Sequence, residues 1–313
     1  MSDPPEIDTP LRSPRRWLVA VMVVAFVGLL LLFPVQVPGR WLGVLFDCAH
    51  LPVFAVLVFV VIRVLGGLRP NWLLAAAVLV GAVVFGLGAE FTQGLIGRSA
   101  GWGDASANAV GACIGFVAST WHRWQRWPRA VAVLVLMGLA AWAYFEPAAV
   151  LTDVVRQRSE FPLVGSFENE LELRRWQVKT GQMSRSGDHV SHGESSLRVK
   201  LEPGEYPGLR LRWPPNDWSG YSTLSFDVWN DADIPLEVVV RVHDFTHNND
   251  HLDRFNREAT IKPGANTLTV SLSEVRTAPT DRELDITAIT QLQIYSADLS
   301  DPYVLYFDRF ELK

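Results

Sequence analysis

Residues 1–150 contain no lysine, and their ten arginines and seven acidic residues are spaced between long uncharged apolar runs. This division constrains the fold more than any other property of the chain. A helix needs about 20 apolar residues to cross a hydrocarbon core, with about 17 tolerated. Trp17–Phe33, Phe46–Ile62, Trp72–Gly94 and Arg129–Phe145 are of that kind. A fifth stretch, Asp104–Trp121, is rich in small residues and only modestly apolar, so it crosses only when packed against neighbours. The expectation is an α-helical membrane bundle of about five spans over residues 17–146, followed by a linker at 147–163. The remaining eighteen basic and twenty-six acidic residues lie in 151–313, which is polar and acidic. A 313-residue chain has room for about two domains.

Arginine placement predicts the orientation. The first apolar run follows Arg12, Arg15 and Arg16, a basic start like that of a signal peptide. No small-residue cleavage site follows it and further spans do, so it reads as a retained helix behind a cytoplasmic tail of residues 1–16. With five spans the inner segments hold Arg12, Arg15, Arg16, Arg63, Arg69, Arg123, Arg126 and Arg129, and the outer loops hold Arg40 and Arg98. That asymmetry obeys the positive-inside rule. It places the chain in the cell (inner) membrane with residues 164–313 extracytoplasmic. Failure of Asp104–Trp121 or Arg129–Phe145 to cross would put that domain in the cytoplasm. Trp17, Trp41, Trp72, Trp121, Trp124 and Trp142 fall near the predicted boundaries, as an interfacial belt requires.

On this topology a set of polar residues converges at the outer rim. Asp47 and His50 open the second span, Glu90 and Gln93 close the third, Arg98 lies in the outer loop, and Asp104 and Asn108 open the fourth. Residues three or four apart share a helix side, so Asp47/His50 and Glu90/Gln93 each face one way. Asp104, Asn108, Gly111 and Gly115 form a single stripe. Gly111 and Gly115 make a small-xxx-small surface that permits close helix approach. Ionisable groups near lipid are costly, and their clustering points to function. The same residues have ordinary readings: Asp104 as a helix N-cap, Arg98 as a snorkelling side chain and Asp47 as a group in headgroup water.

At these positions the chain resembles the VanZ-like family. The matching residues are Asp47–Cys48–Ala49–His50 and Glu90–Phe91–Thr92–Gln93, then Arg98–Ser99, Asp104, Asn108, Gly111 and Gly115, within roughly residues 40–120. The family often has a lysine directly after the first aspartate, where this chain has Cys48. The resemblance implies a bacterial membrane protein, with some relatives linked to glycopeptide-antibiotic resistance, and supplies no mechanism.

Beyond the linker, short alternating stretches recur at Ser196–Leu201, Leu209–Trp213, Thr223–Trp229, Leu236–His243, Thr267–Leu272, Gln291–Tyr295 and Val304–Leu312. Turn signals such as Pro203–Gly204 and Pro263–Gly264 separate them. Many short alternating strands of this kind predict an all-β antiparallel sandwich. Phe167–Glu168, Gly193–Glu194–Ser195–Ser196–Leu197, Asp217–Trp218–Ser219–Gly220–Tyr221 and Phe307–Asp308 resemble galactose-binding-like jelly rolls of the carbohydrate-binding-module type. Relatives often hold a structural calcium near the joined chain ends, which makes Glu168 and Asp308 its candidate ligands.

The loop from His243 to His251 holds three histidines and two aspartates, with irregular spacing and no cysteine. It reads as a binding or solvated loop, with His247, Asn248 and Asp250 as ligand-binding candidates. Trp213 and Trp218 are candidates for stacking on sugar rings, as are Tyr206 and Trp229, against the commoner role of filling a core.

Two functions follow as expectations. One is a membrane-anchored glycan-binding protein acting in envelope glycan handling or glycopeptide resistance, with bilayer and envelope glycan or lipid-linked sugar as partners. The acidic excess of the outer domain suits neutral sugar better than an anionic polymer. The other is an intramembrane enzyme acting on a lipid-linked precursor through Asp47, His50, Glu90 and Asp104 by acid–base or metal chemistry, with Arg98 holding an anionic head group. A permease reading is weakened by the lack of a visible internal repeat. No basic stripe suggests nucleic acid. Both cysteines, Cys48 and Cys113, lie in apolar segments, so the polar half has no disulfide framework.

Overall fold

The computed structural model describes residues 14–32, 40–95 and 102–313. They divide into a helical unit reaching Ala148 and a second unit from Ala149 to Lys313, to which the first residues of α2 also belong.

The helical unit contains α1 (Pro14–Leu32), α2 (Arg40–Gly66), α3 (Trp72–Leu95), α4 (Trp102–Thr120) and the start of α5 (Arg126–Glu160). Each overlaps one predicted apolar run. Among the described residues, α2, α3 and α5 are long and apolar enough to cross a membrane. On α3 the buried positions Ala75, Ala82, Gly86, Glu90 and Gln93 form one stripe at helical spacing. Asn71 starts that helix by accepting the Leu74 amide at 2.7 Å.

Pro52 lies inside α2. Proline has no N–H, so the carbonyl four residues earlier, that of Cys48, loses its intrahelical donor. The Tyr144 hydroxyl from α5 donates to that carbonyl at 3.1 Å. A break in one helix thus becomes a cross-helix bond.

Two glycines set the distance between α2 and α4. A Cβ on Gly111 would stand 2.2 Å from the Leu51 carbonyl oxygen, and one on Gly115 would stand 2.3 Å from that of Ala55. No larger residue fits against a neighbouring backbone at that range.

The linker expected at 147–163 is largely helical, because α5 continues to Glu160 with Pro147 inside it. Its last turns belong to the second unit. Asp153 and Val154 are buried there, and the Gln157 amide donates to the Trp213 carbonyl at 2.7 Å. Asp153 receives a forked bond from Arg175, with Nε at 3.0 Å from both carboxylate oxygens and Nη2 at 2.8 Å from Oδ1. Arg40 adds a second guanidinium.

The rest of the second unit is an antiparallel sandwich of eleven strands. They are β1 (Leu163–Gly165), β2 (Trp176–Lys179), β3 (Gly181–Ser186), β4 (Ser196–Leu201), β5 (Gly208–Leu211), β6 (Thr223–Asn230), β7 (Leu236–Asp244), β8 (Phe255–Ile261), β9 (Gly264–Ser271), β10 (Ile289–Tyr295) and β11 (Tyr303–Leu312). One sheet runs β3-β4-β11-β6-β9, with β1 also paired to β11, and the other runs β2-β5-β10-β7-β8. All seven predicted strands are present, and β1, β2, β3 and β8 are additional.

Inward positions alternate along the central strands: Leu224, Phe226 and Val228 on β6, and Val238, Val240 and Val242 on β7. Aromatic rings fill the space between the sheets, with Phe310 centred 4.7 Å from both Trp176 and Phe226. A bulge in β11 between Asp308 and Glu311, with Arg309 at φ 47°, re-aims the strand so that Phe310 enters the core.

Candidate functional site

The close approach of α2 and α4 brings His50 against Asn108. His50 Nδ1 lies 2.9 Å from Asn108 Oδ1. An amide oxygen only accepts, so this bond puts the imidazole proton on Nδ1 and leaves Nε2 with a lone pair. Glu90 of α3 and Asp104 of α4 complete the group: one ligating atom from each of His50, Glu90 and Asp104 lies within 4.8 Å of the others. His50, Glu90, Gln93 and Asn108 are all buried. Gly86 makes room, since a Cβ there would sit 3.2 Å from Phe54 and 3.3 Å from Asn108.

The structure therefore brings together His50, Glu90, Asp104 and Asn108 of the predicted polar set. Gln93 is buried one turn along α3 from Glu90. Asp47 is exposed, on the α2 turn before His50, and does not join the group. Arg98 lies outside the described residues. Gly111 and Gly115 line the α2–α4 contact.

In the sandwich, a candidate surface appears that none of the sequence motifs indicated. It is the outer face of the five-stranded sheet. Leu209, Leu211, Leu292, Ile294, Val240 and Val242 point into the core, so the residues between them face out. Strand register then aligns Gln177, Arg210, Gln293, Arg241 and Asn256 in one row across all five strands. Gln291 and His243 pair in a second row, and Tyr295 stands in a third with the Tyr206 ring 5.9 Å from it. Gln291 donates to Gln293 at 3.1 Å, and Arg210 donates to Gln177.

Neither Arg210 nor Arg241 has an acidic partner among the described residues. Burial lowers the pKa of both, and a neighbouring arginine adds to it: Arg212 for Arg210 and Arg254 for Arg241. Arg241 Nε is buried and makes no hydrogen bond among the described residues. Burial pushes His243 down to about 4, with Arg241 and His247 contributing. At neutral pH this face therefore presents neutral imidazole and amides around two cations.

A second cleft, of about 430 Å³, opens on the outer face of the other sheet. His189 stacks on Trp229 there at 4.1 Å, with Tyr306 edge-on to the same imidazole. Asp227 accepts from Ser191 Oγ and Thr267 Oγ1, each at 2.7 Å.

Trp218 is corrected by the structure. It is fully buried and its Nε1 donates to the Pro215 carbonyl at 2.7 Å, so its ring fills the core and offers no face to a sugar. Trp213 and Tyr206 are about 40% exposed, with the Arg212 guanidinium 5.9 Å from the Trp213 ring centre and the Lys179 ammonium 5.1 Å from that of Tyr206.

His247, Asn248 and Asp250 are spent on building their own loop. His247 Nδ1 bonds the Asp253 carbonyl at 2.9 Å, the Asn248 amide donates to Asp253 Oδ2 at 2.9 Å, and Asp250 Oδ1 accepts the Leu252 amide at 2.9 Å. Arg282 ties the loop together, bonding Asp244 and holding the Asp253 carboxyl down to about 2. The histidines and aspartates of this loop form no metal-ligating group among the described residues.

Glu168 and Asp308 each organise the segment from Ser191 to Ser195. Asp308 Oδ2 accepts the Ser191 amide at 2.7 Å and the His192 amide at 2.8 Å, while Oδ1 accepts the Arg309 amide at 2.7 Å. Burial raises the Asp308 pKa against these bonds. Glu168 accepts the amides of Glu194 and Ser195 at 3.1 Å. Gly193, at φ 72°, passes so near that a Cβ would fall 2.4 Å from Glu168 Oε1. Main-chain donors thus account for the position of both carboxylates.

No family model matches the chain, and no curated protein sequence is significantly similar to it. Among solved structures, the chain is similar to the family 11 carbohydrate-binding module from Clostridium thermocellum, in complex with a β-1,3-1,4-mixed-linked tetrasaccharide. The identity is 16%, covering 48% of this chain and 93% of that one, with a TM-score of 0.39. A family 30 carbohydrate-binding module of a Clostridium thermocellum cellulosomal cellulase aligns at 15% identity over 48% and 90%, with a TM-score of 0.34. An exo-β-agarase aligns at 16% identity over 48% of this chain and 24% of its own, with a TM-score of 0.40.

Proposed function

We propose that this protein is a membrane-anchored glycan-binding protein whose sandwich holds a sugar chain on the outer face of the five-stranded sheet. The observation that carries this reading is the unbroken cross-strand row Gln177–Arg210–Gln293–Arg241–Asn256. Sugars present closely spaced hydroxyls, which planar amide and guanidinium groups bond in pairs. The adjacent Tyr206 and Tyr295 rings supply the apolar surface on which a pyranose face rests. The two arginines, which have no acidic partner among the described residues, favour a sugar bearing carboxylate groups, although the domain as a whole is acidic.

Anchoring is supported by the three helices of sufficient length and apolarity among the described residues. It is supported further by the many large apolar side chains exposed on the helices, including Phe26, Leu73, Phe91, Leu134 and Phe145. A VanZ-like identity for the helical half, an extracytoplasmic sandwich and a part in envelope glycan handling or glycopeptide resistance belong to the same proposal.

The test is a glycan array with residues 149–313, carrying neutral and uronic-acid glycans. Binding that disappears in Arg210→Ala/Arg241→Ala supports the reading. Binding of neutral glycans alone removes the acidic preference and leaves the site. An array without any binding refutes the function.

A further inference from the structure

We propose that His50, Glu90 and Asp104 hold one divalent first-row transition-metal ion, zinc or manganese, in the helical unit. The site is separate from the sugar-binding face and does not rest on it.

Three observations carry the assignment. The first is convergence from three helices: one ligating atom each from α2, α3 and α4 lies within 4.8 Å of the other two. Ligand atoms held roughly 2.0–2.2 Å from a metal stand about 3–4.4 Å from one another. The spacing of the three ligating atoms is therefore close to what one shared ion requires.

The second is the orientation of the imidazole. Asn108 Oδ1 accepts from His50 Nδ1 at 2.9 Å, so the lone pair is on Nε2. Metal-binding histidines are ordinarily oriented this way, with the far ring nitrogen donating to an oxygen that fixes tautomer and direction. Asn108 is 1% exposed, and its position is set by the α2–α4 backbone contact at Gly111 and Gly115. The fold thus commits a close-packed helix pair to aiming one imidazole.

The third is the other end of the same amide. Asn108 Nδ2 is buried and makes no hydrogen bond among the described residues. A buried amide donor left without an acceptor is costly. An oxygen on the ion, from water or an oxyanion, is the acceptor that an N–H beside a metal would take. Three protein ligands leave a coordination position open for such an oxygen.

The donor set selects the ion. One imidazole nitrogen with two carboxylates suits zinc or manganese, whereas calcium and magnesium favour oxygen-only sites.

The experiment uses the full chain in detergent, stripped by chelator and equilibrated with Zn²⁺, then freed of unbound metal and analysed by elemental mass spectrometry. Cobalt substitution gives a visible absorption spectrum as a second readout. One zinc per chain is expected, lost in His50→Ala and in Glu90→Gln/Asp104→Asn and kept in the loop variant His243→Ala/His247→Ala. The Glu90→Gln/Asp104→Asn variant is nearly isosteric and covers the case in which His50→Ala fails to fold. Asn108→Ala should weaken zinc affinity tenfold to a hundredfold and alter the cobalt spectrum. Zinc retained by a folded Glu90→Gln/Asp104→Asn variant, neither zinc nor manganese bound by the wild-type chain equilibrated with each in turn, or magnesium bound in preference to both would each overturn the proposal.

Discussion

Asp153 marks where the sandwich begins as a stable unit, and cutting the chain beyond it should be costly. Its side chain is fully buried and forks onto Arg175, which is 1% exposed. Removing one partner of such a pair leaves an uncompensated buried charge, worth about 3–5 kcal/mol. For a domain of 150–250 residues each kcal/mol shifts Tm by roughly 2–4 °C, so Asp153→Ala should lower Tm by about 6–20 °C. A fragment of residues 164–313 loses Asp153 together with the buried Val154 and the Gln157–Trp213 bond. Those add about 1.5 kcal/mol or more for the valine and about 1 kcal/mol for the bond. Fragment 164–313 should therefore be less stable than Asp153→Ala in fragment 149–313. The assay is thermal unfolding of the two fragments and the variant by circular dichroism. Replacing the pair with Asp153→Leu/Arg175→Met should restore much of the loss. Equal stability of the fragments starting at 149 and 164 would refute the reasoning.

Tyr144→Phe strips the Cys48 carbonyl of its donor and should cost about 1–3 kcal/mol; in a Pro52→Ala background the helix supplies its own donor, so the penalty should largely vanish in a thermal-unfolding cycle. Gly111→Val forces a side chain against the Leu51 carbonyl and should cost about 1–3 kcal/mol or more, read as a lower detergent unfolding midpoint. Each of Arg210→Ala and Arg241→Ala should weaken glycan binding, with the array hit measured by calorimetry, by about 1–3 kcal/mol, or roughly five- to 150-fold. His243, depressed to about 4 in the folded state against an unfolded value near 6.5, binds protons more readily when unfolded. Its contribution to stability is therefore fully present above about pH 6.5 and is lost as pH falls towards 4. His243→Gln should flatten the stability profile over that window in pH-dependent denaturation of residues 149–313.

The central strands were legible because one face of each is buried. Burial alternates without a break along Leu236–Asp244 and from Leu197 to Leu201. The strands without a sequence signature are short or lie at sheet edges. β3 and β8 carry Gln182, Ser184, Arg185, Asn256, Arg257 and Glu258, and a solvated edge has little reason to alternate. In the helical unit, spacing placed Asp104, Asn108, Gly111 and Gly115 on one stripe, but only the packed helices reveal that Leu51 and Ala55 meet it. Trp218 illustrates the converse: a tryptophan in a turn-rich motif looks available for stacking until its environment is known. The Arg210–Arg241 row had no local signature, since register across β5, β10 and β7 creates it.

The position of β11 affects how the sandwich can assemble. It is the last strand along the sequence, yet it lies between β4 and β6 and also pairs with β1. A ribosome releases β4, β6 and β9 well before it releases the strand that joins them. Until then this layer is two separate strand pairs, β3–β4 and β6–β9, and an unpaired β1, with exposed hydrogen-bonding edges open to capture by other nascent chains. Completion of this layer must wait for β11, and a premature stop shortly before Tyr303 would divide the layer through its middle.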